Sequence, residues 1–408
     1  MSGFDITAAT PILKQYYTKL KVETLVFKSA AFALIPKDTG GGGSAYEGTV
    51  RSAIASNASF TDTVAFASTS ASVFKRWSVP WRSGYTRALV NGQSLDATRN
   101  DGLAFAKALV TETEGAYDEI AQQIGAALWS SGGGAIGQIS STSDVSLTVI
   151  TLANPLQGIN FRTGQVIKSS ATDGTSGSVR ANSVTLTKVD ILTGQLTASG
   201  AWSTITGAAA LDYLFMDGDF GLAWQGIPAW IVPPGSARAT ALGTAFNGVT
   251  RDVDPVRLGG VTYTGNGAPK KESMIQLGML LQLVGAKPSH IFLHPMDFAD
   301  LQKDLTTQCT ITTETAYKNP QIGFAAINYV APFGMIKVMS DPFVPQGLGF
   351  MLQMDTWKLA SMESIPQTKL WDNLQWLRVA AADQYELRQL YRAYTFCSMP
   401  GFNGCVRW

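Results

Sequence analysis

Two neighbouring segments near the front of this chain limit what it can fold into. Phe60-Thr61-Asp62-Thr63-Val64-Ala65-Phe66 and Val73-Phe74-Lys75-Arg76-Trp77-Ser78-Val79-Pro80-Trp81 both alternate with period two, as strands do. They predict a long two-stranded ribbon carrying apolar and aromatic residues, within about Glu47 to Val90. Such a ribbon is at best marginally stable alone in water. Directly after it, from about Asn100 to Trp129, runs an unusually long helical pattern. A ribbon that cannot stand alone, leading into a long helix, predicts an arm that lies on another copy of the same chain. The chain reads as a building block rather than a catalyst.

Composition agrees. The 408 residues suffice for two or three domains with real cores. Charged residues make up only 15%, against roughly 25% in ordinary soluble domains. Hydrophobic residues reach 45%, yet no stretch approaches the ~20 apolar residues of a membrane span. Surface buried against partners accounts for the missing charge; a Gly/Ser/Thr-rich β protein is the plainer account. The net charge of +1 comes with no basic stripe: Pro269 and Glu272 bracket Lys270-Lys271. That argues against a dedicated nucleic-acid binder. Cys309, Cys397 and Cys405 form no CxxC and predict free buried thiols in a reducing compartment. The start, MSGFDITAAT, carries no basic-then-apolar signal sequence.

Along the chain, about Thr10 to Ser29 reads as a helix, with Leu13, Tyr16, Tyr17, Leu20 and Val22 on one side. Gly40 to Gly43 then predict a joint. Asn100 and Asp101 are good caps for the long helix. Its stripe is Leu103, Ala106, Leu109 or Val110, Tyr117, Ile120, Ile124 and Ala127. Its length is roughly 40 Å, and Gly115 and Gly125 mark places for a bend. From about Ser141 to Asp219 the texture is all-β. Val145, Leu147 and Val149 alternate; Ser183–Val189 is a strand that turns at Leu192–Gln195 into Leu196–Ala198. This predicts a small barrel or sandwich inserted after the helix. Beyond Gly221 the pattern is mixed. Helices are expected over Lys271–Val284 and from Pro295 to about Leu305. Strands are expected at His290–Leu293, Met335–Met339, Phe350–Met354 and, longest, Tyr385–Cys397. On that last strand Glu386, Arg388 and Arg392 share one face, and Tyr385, Leu387 and Tyr391 the other.

No catalytic motif stands out. Gly132-Gly133-Gly134-Ala135-Ile136-Gly137 matches GxGxxG, but it follows a helix and opens a β region, the reverse of a dinucleotide site. It reads as a helix stop and hinge. His290 and His294, the only histidines, lack the glutamate of a zinc helix and read as core or helix-start residues. Asp212, Asp217 and Asp219 surround Gly218 without calcium-loop spacing; they read as the turn that closes the inserted unit. Glu112 and Glu114 lie about 200° apart on the helix and form no pair. No catalytic residue, cofactor or metal is expected.

The order of these features resembles the tailed-bacteriophage major capsid proteins of the Hong Kong 97-type fold. The resemblance rests on Val79-Pro80-Trp81-Arg82-Ser83-Gly84-Tyr85, the helix to Trp129 and its glycine-rich exit through Ile139. It continues in Arg251-Asp252-Val253-Asp254-Pro255-Val256-Arg257-Leu258-Gly259-Gly260, Pro288 to Pro295, Asp341 to Pro345 and Asp383 to Arg388. It implies an α+β fold with an N-terminal arm (1–47) and an extended loop over a neighbouring subunit (48–95). It also implies a peripheral domain with a spine helix (96–139 and 371–397) and an axial domain (220–370 and 398–408), with a small all-β insertion at 140–219. The implied function is a virion shell, assembled in the host cytoplasm from hexamers and pentamers around double-stranded DNA that it contacts weakly. A separate scaffolding protein, a portal and a possible decoration protein are the implied partners, and no membrane. An encapsulin-like compartment shell and a monomeric ligand-binding β protein are the alternatives. Arg76, Trp77, Trp81 and Arg82 are the expected intersubunit contact, because aromatics on a two-stranded arm have little core of their own to enter.

Overall fold

The computed structural model describes residues 29–55, 58–67, 71–92, 102–306, 327–331, 334–363, 365, 367–368 and 376–408. Asn100, Asp101, Cys309 and nearly all of the helix expected over Thr10–Ser29 lie outside the described residues. Ser29 itself caps a short helix, Ala30–Leu34, accepting from the Phe32 amide at 3.4 Å. The described strands form three six-stranded sheets and a separate two-stranded ribbon.

The first sheet is organised by the strand Gln384–Cys397. Arg82–Asn91 lies antiparallel along ten of its residues, and Trp357–Ser361 along its last five. Lys37–Asp38 adds a parallel edge. Side chains alternate across a strand. One face buries Leu387, Gln389, Tyr391, Ala393, Thr395 and Cys397; the other exposes Arg388 and Arg392 but buries Leu390 and Tyr394. Gly84 is opposite Tyr391, and a Cβ there would sit 2.3 Å from the tyrosine ring. Only glycine lets the two strands close at that point.

The long helix runs Gly102–Leu128 without a break. Of the expected stripe Ile120, Ile124 and Ala127 are buried, joined by Ala116 and Leu128, whereas Tyr117 is exposed. Gly125 is there for packing and not for a bend: a Cβ would stand 2.5 Å from the Phe343 ring.

The inserted unit is a closed barrel. Its strands lie in the order Gly137–Gln138, Tyr213–Met216, Val166–Ser170, Val184–Asp190, Gln195–Ala198, Val149–Thr151. The two ends of that order meet. Ile139 bridges Leu152, the Ser140 amide donates to the Thr151 carbonyl at 2.9 Å, and the Ala153 amide to the Gln138 carbonyl at 2.8 Å. Closure removes the open edges that a small sheet would expose. Phe161, Ile167, Leu186, Leu196, Trp202 and Leu214 fill it. Chain entry and exit are adjacent antiparallel strands, Gln138 opposite Tyr213. Val145 and Leu147, expected in a strand, lie in turns; the strand begins at Val149. Backbone turns, which donate from Trp202 and Ser203 to Leu147 and Val145, take the place of ladder pairing there.

The third sheet orders Val261–Thr264, Gly404–Arg407, Leu348–Leu352, His290–Leu293, Gly334–Ser340 and Ile327–Ala331. Helices Lys270–Leu283 and Pro295–Thr306 cover one face through Leu277, Leu281, Leu301, Ile291 and Val338. The other face, with Phe292, Phe350 and Leu352, joins the main core with Trp129, Trp357 and Ile124. Every residue of Leu348–Leu352 is therefore buried.

The ribbon differs from the sequence expectation. Val73–Pro80 pairs with Ala45–Ala53, not with Phe60–Phe66. Asp62–Ala67 is a short helix at the far end of the ribbon. The Asp62 carboxylate accepts from the Thr63 amide at 2.7 Å and the Ser59 hydroxyl from the Thr61 amide at 3.2 Å, so local polar groups start a helical turn. Arg82–Asn91, assigned by sequence to the extended loop, pairs with the long strand of the first sheet.

Candidate assembly surface

The ribbon has two halves of opposite character. At its root, Trp77 is 2% exposed, as is Val79. Trp77 packs edge-on to Trp230, with ring centroids 5.1 Å apart, and to Phe396 at 6.1 Å. Tyr46, on the paired strand, reaches Tyr394 at 5.2 Å and Phe396 at 5.1 Å. Trp81 is half-buried against Tyr394 at 4.7 Å. The premise that these aromatics lack a core of their own is corrected: Trp77 enters its own subunit's main core and keeps almost no surface for a neighbour. Arg76 is exposed and paired with Glu47 at 2.8 Å. Arg82 is half-buried at the start of its strand. The four residues expected together thus divide into one core residue and three that reach the surface.

Between Ala53 and Val73 none of the described residues is buried. Ile54, Phe60, Val64, Phe66, Val73 and Phe74 are all exposed, Phe66 at 87% and Phe74 at 67%. A cluster of this size on a soluble monomer marks an interaction site. Sequence reading placed Phe60 and Phe66 on the ribbon but gave them a strand's alternation. The stronger signal was three phenylalanines within a stretch that had no core partner.

A second feature is a groove of about 270 Å³ where the first sheet, the long helix and the barrel meet. Arg82, Tyr85, Glu119, Gln123, Met216 and Asp219 are among its walls. The Glu119 carboxylate accepts from the Thr86 hydroxyl at 2.9 Å. Burial, with a smaller contribution from Asp217, pushes the Asp219 carboxyl up to about 6. Burial and then Asp219 hold the Tyr391 phenol above its ordinary range.

The other sequence candidates have structural partners. Asp212 is 3% exposed and takes a fork from Arg180, at 2.6 Å from Nε and 2.8 Å from Nη2. Asp217 pairs with Lys168 at 2.8 Å. The glycine run after the long helix is a joint packed on the barrel: Gly132 and Gly134 have φ of 95° and 88°. A Cβ on Gly133 would lie 2.0 Å from the Asp173 carbonyl oxygen. His294 accepts from the Met296 amide at 3.2 Å, where the helix Pro295–Thr306 begins. His290 contacts the Ser289 hydroxyl at 2.9 Å and stacks on Phe292. Burial raises the Cys397 thiol to about 12 and the Cys405 thiol further; both are free. Among the described residues, no group of three or more His, Cys, Asp or Glu could hold a metal, and no helix is long and apolar enough to cross a membrane.

A family model described as SU10 major capsid protein matches residues 219–404, from the foot of the barrel to the last strand. Among solved structures, the cyanophage A-1(L) capsid asymmetric unit is similar over 99% of both chains, with a TM-score of 0.61 at 10% identity. A Mycobacterium phage Bobi structure aligns with a TM-score of 0.47 at 9% identity over 100% of this chain and 99% of the other. The capsid of an empty GTA particle aligns at 0.46 and 8%, over the same shares of each chain. The fold assignment rests on the first of these structures. No curated protein matches the sequence.

Proposed function

We propose, from its Hong Kong 97-type fold and the match of residues 219–404 to a phage capsid family, that this chain is a tailed-phage major capsid protein that assembles with copies of itself into the icosahedral shell enclosing a double-stranded DNA genome. The observation that carries this is the ribbon: a root fixed in its own core and a tip whose described apolar side chains are exposed. Burying apolar surface is worth about 25 cal/mol per Å², so the tip gains most by lying on a neighbouring copy. Arg76, Trp81 and Arg82, on the outer side of the root, would flank that contact. The role is structural and not catalytic.

With a net charge of +1, the shell would confine DNA without gripping it. Each neutralised phosphate contributes to binding and to its salt dependence, and here few are available. Assembly in the host cytoplasm, with a scaffolding protein, a portal and hexamer and pentamer units, completes the reading.

The test is expression of the protein with its scaffold, followed by native mass measurement and negative-stain imaging. Closed shells of uniform size are expected. A chain that stays monomeric under every assembly condition would refute the proposal.

A further inference from the structure

We infer that Arg257, oriented by Asp254, is a latch that fixes the ribbon to the body of its own subunit and sets where the free tip begins. The inference rests on the assembly role proposed above for that tip.

The ribbon ladder slips at one place. Arg51 is opposite Phe74 and Ala53 opposite Val73, so Ser52 is an extra residue. A bulge of this kind leaves backbone groups without a ladder partner. Ser52 turns its hydroxyl to the Val73 carbonyl at 3.2 Å. The carbonyls of Arg51 and Ser52 are taken up by one guanidinium: Arg257 Nη1 donates to the first and Nη2 to the second, the latter at 2.7 Å. A planar fork with fixed donor directions suits two adjacent acceptors; a lysine ammonium does not.

The fork is held from behind. Asp254 accepts from Arg257 Nε at 2.8 Å through one carboxylate oxygen and from the Arg257 amide at 3.0 Å through the other. It therefore caps the helix Pro255–Gly259 and aims the side chain with the same group. That helix is firmly seated: Leu258 is 1% exposed, and a Cβ on Gly401 would stand 2.8 Å from Arg257 Cα. A second hold acts on the other strand, where the Ser78 amide donates to the Asn247 carbonyl at 3.0 Å.

The latch lies at the boundary between the two halves of the ribbon. On one side are Tyr46, Trp77 and Val79, packed on the core; on the other are Ile54, Phe66 and Val73, exposed, with the exposed Phe74 opposite Arg51 at the latch itself. Exposed ion pairs add little stability. What the Arg257 contact supplies is a fixed point, from which the tip leaves at one angle. Asp254 and Arg257 also give a role to the Arg251–Gly260 segment that the sequence singled out.

The test compares Arg257→Ala, Arg257→Lys and Asp254→Asn. Asparagine still caps a helix, so Asp254→Asn removes the aiming charge alone. Two readouts are needed: hydrogen exchange at the amides of Thr49–Ala53 and Val73–Arg76 in the isolated subunit, and the shells formed on assembly. Both Arg257 variants should exchange about tenfold faster at the bulge, with a melting temperature within a few degrees of wild type. Their shells should be fewer and of mixed size, and Asp254→Asn should fall between. Unchanged exchange in both Arg257 variants would sink the latch, whatever the shells look like. Faster exchange with normal shells would equally overturn the claim that it positions the tip. If the wild type makes no shells, the proposed function fails, while the exchange arm still decides the latch. If Arg257→Ala does not fold, the other two variants carry the comparison.

Discussion

Trp77 meets Trp230 edge to face, with their ring planes at 84°. Trp230 in turn touches Phe246 at 5.1 Å and Phe396 at 5.3 Å, and its indole nitrogen donates to the Thr395 carbonyl at 3.0 Å. One aromatic cluster therefore binds the ribbon root to the end of the long strand.

Trp77→Ala should destabilise the isolated subunit by about 3–5 kcal/mol, the usual cost of deleting a buried large aromatic. Urea unfolding followed by fluorescence measures it. An intersubunit contact alone, as the sequence suggested for Trp77, would leave the isolated subunit's stability unchanged. An unchanged unfolding midpoint would show that Trp77 is not a core residue.

The tip should behave in the opposite way. Phe66→Ser combined with Phe74→Ser changes side chains that are mostly exposed in their own subunit, so stability should stay within about 0.5 kcal/mol. Assembly, followed by light scattering, should be lost or strongly slowed. Normal assembly kinetics would place the intersubunit contact elsewhere.

Asp219 gives a pH prediction. Its carboxyl titrates at about 6 in the folded chain against an ordinary 3.8, so folding is favoured by its protonation. The cost of the ionised group is fully present above about pH 6 and disappears as pH falls towards 3.8. Asp219→Asn should therefore stabilise the subunit at pH 7.5 by of order 1 kcal/mol, after allowing for partial solvent screening. Below pH 4 it should have no effect. Melting curves at the two pH values, with Asp217 left intact, test this; equal shifts at both would rule out titration as the cause.

The barrel offers two sites for a short inserted tag, with different outcomes. Leu192, at 84% exposure, tops the turn between two barrel strands, and a tag after it should be tolerated, with the epitope accessible on intact particles if the barrel faces outward. A tag between Asp173 and Gly174 should fail. Gly174 is buried, and a Cβ there would lie 2.0 Å from the Gly133 carbonyl oxygen, so this loop is docked on the joint after the long helix. The small polar residues of Asp173–Gly177 resemble an exposed loop tip, but the packing of Gly174 on Gly133 sets this loop apart from one. Antibody binding to tagged particles and particle yield decide the matter.

Several elements were legible because their information is local. The long helix has a sustained apolar stripe, and Gln384–Cys397 has fourteen residues of strand character, so each declares itself without reference to a partner. The barrel showed in its regular turns, and the helix start at Pro295 in its proline. Pairing was not local. Phe60–Phe66 has a strand's alternation over seven residues, but the strand opposite Val73–Pro80 had to come from wherever the chain could supply nine residues in register, and that was Ala45–Ala53. The side chains of Ser59 and Asp62 accept from the amides of Thr61 and Thr63 and hold the chain in a turn there, and the segment is helical.

By itself the sequence determined the kind of protein this is: a low-charge chain with a ribbon, a long helix and an inserted β unit in the order of a capsid protein. Tertiary structure decided which aromatic enters the core and which stays exposed. Trp77 and Phe74 are three residues apart on one strand, both large and apolar; alternation sets them on opposite faces, but nothing in their local sequence says which face meets a core. The Ser52 bulge follows directly on the Arg51–Phe74 pair, three pairs beyond Gly48–Trp77, and Trp230, Phe396 and Tyr394 arrive from distant segments to cover only the root. Burial is a property of what the rest of the chain brings to a residue, so it is fixed only when the whole chain has folded.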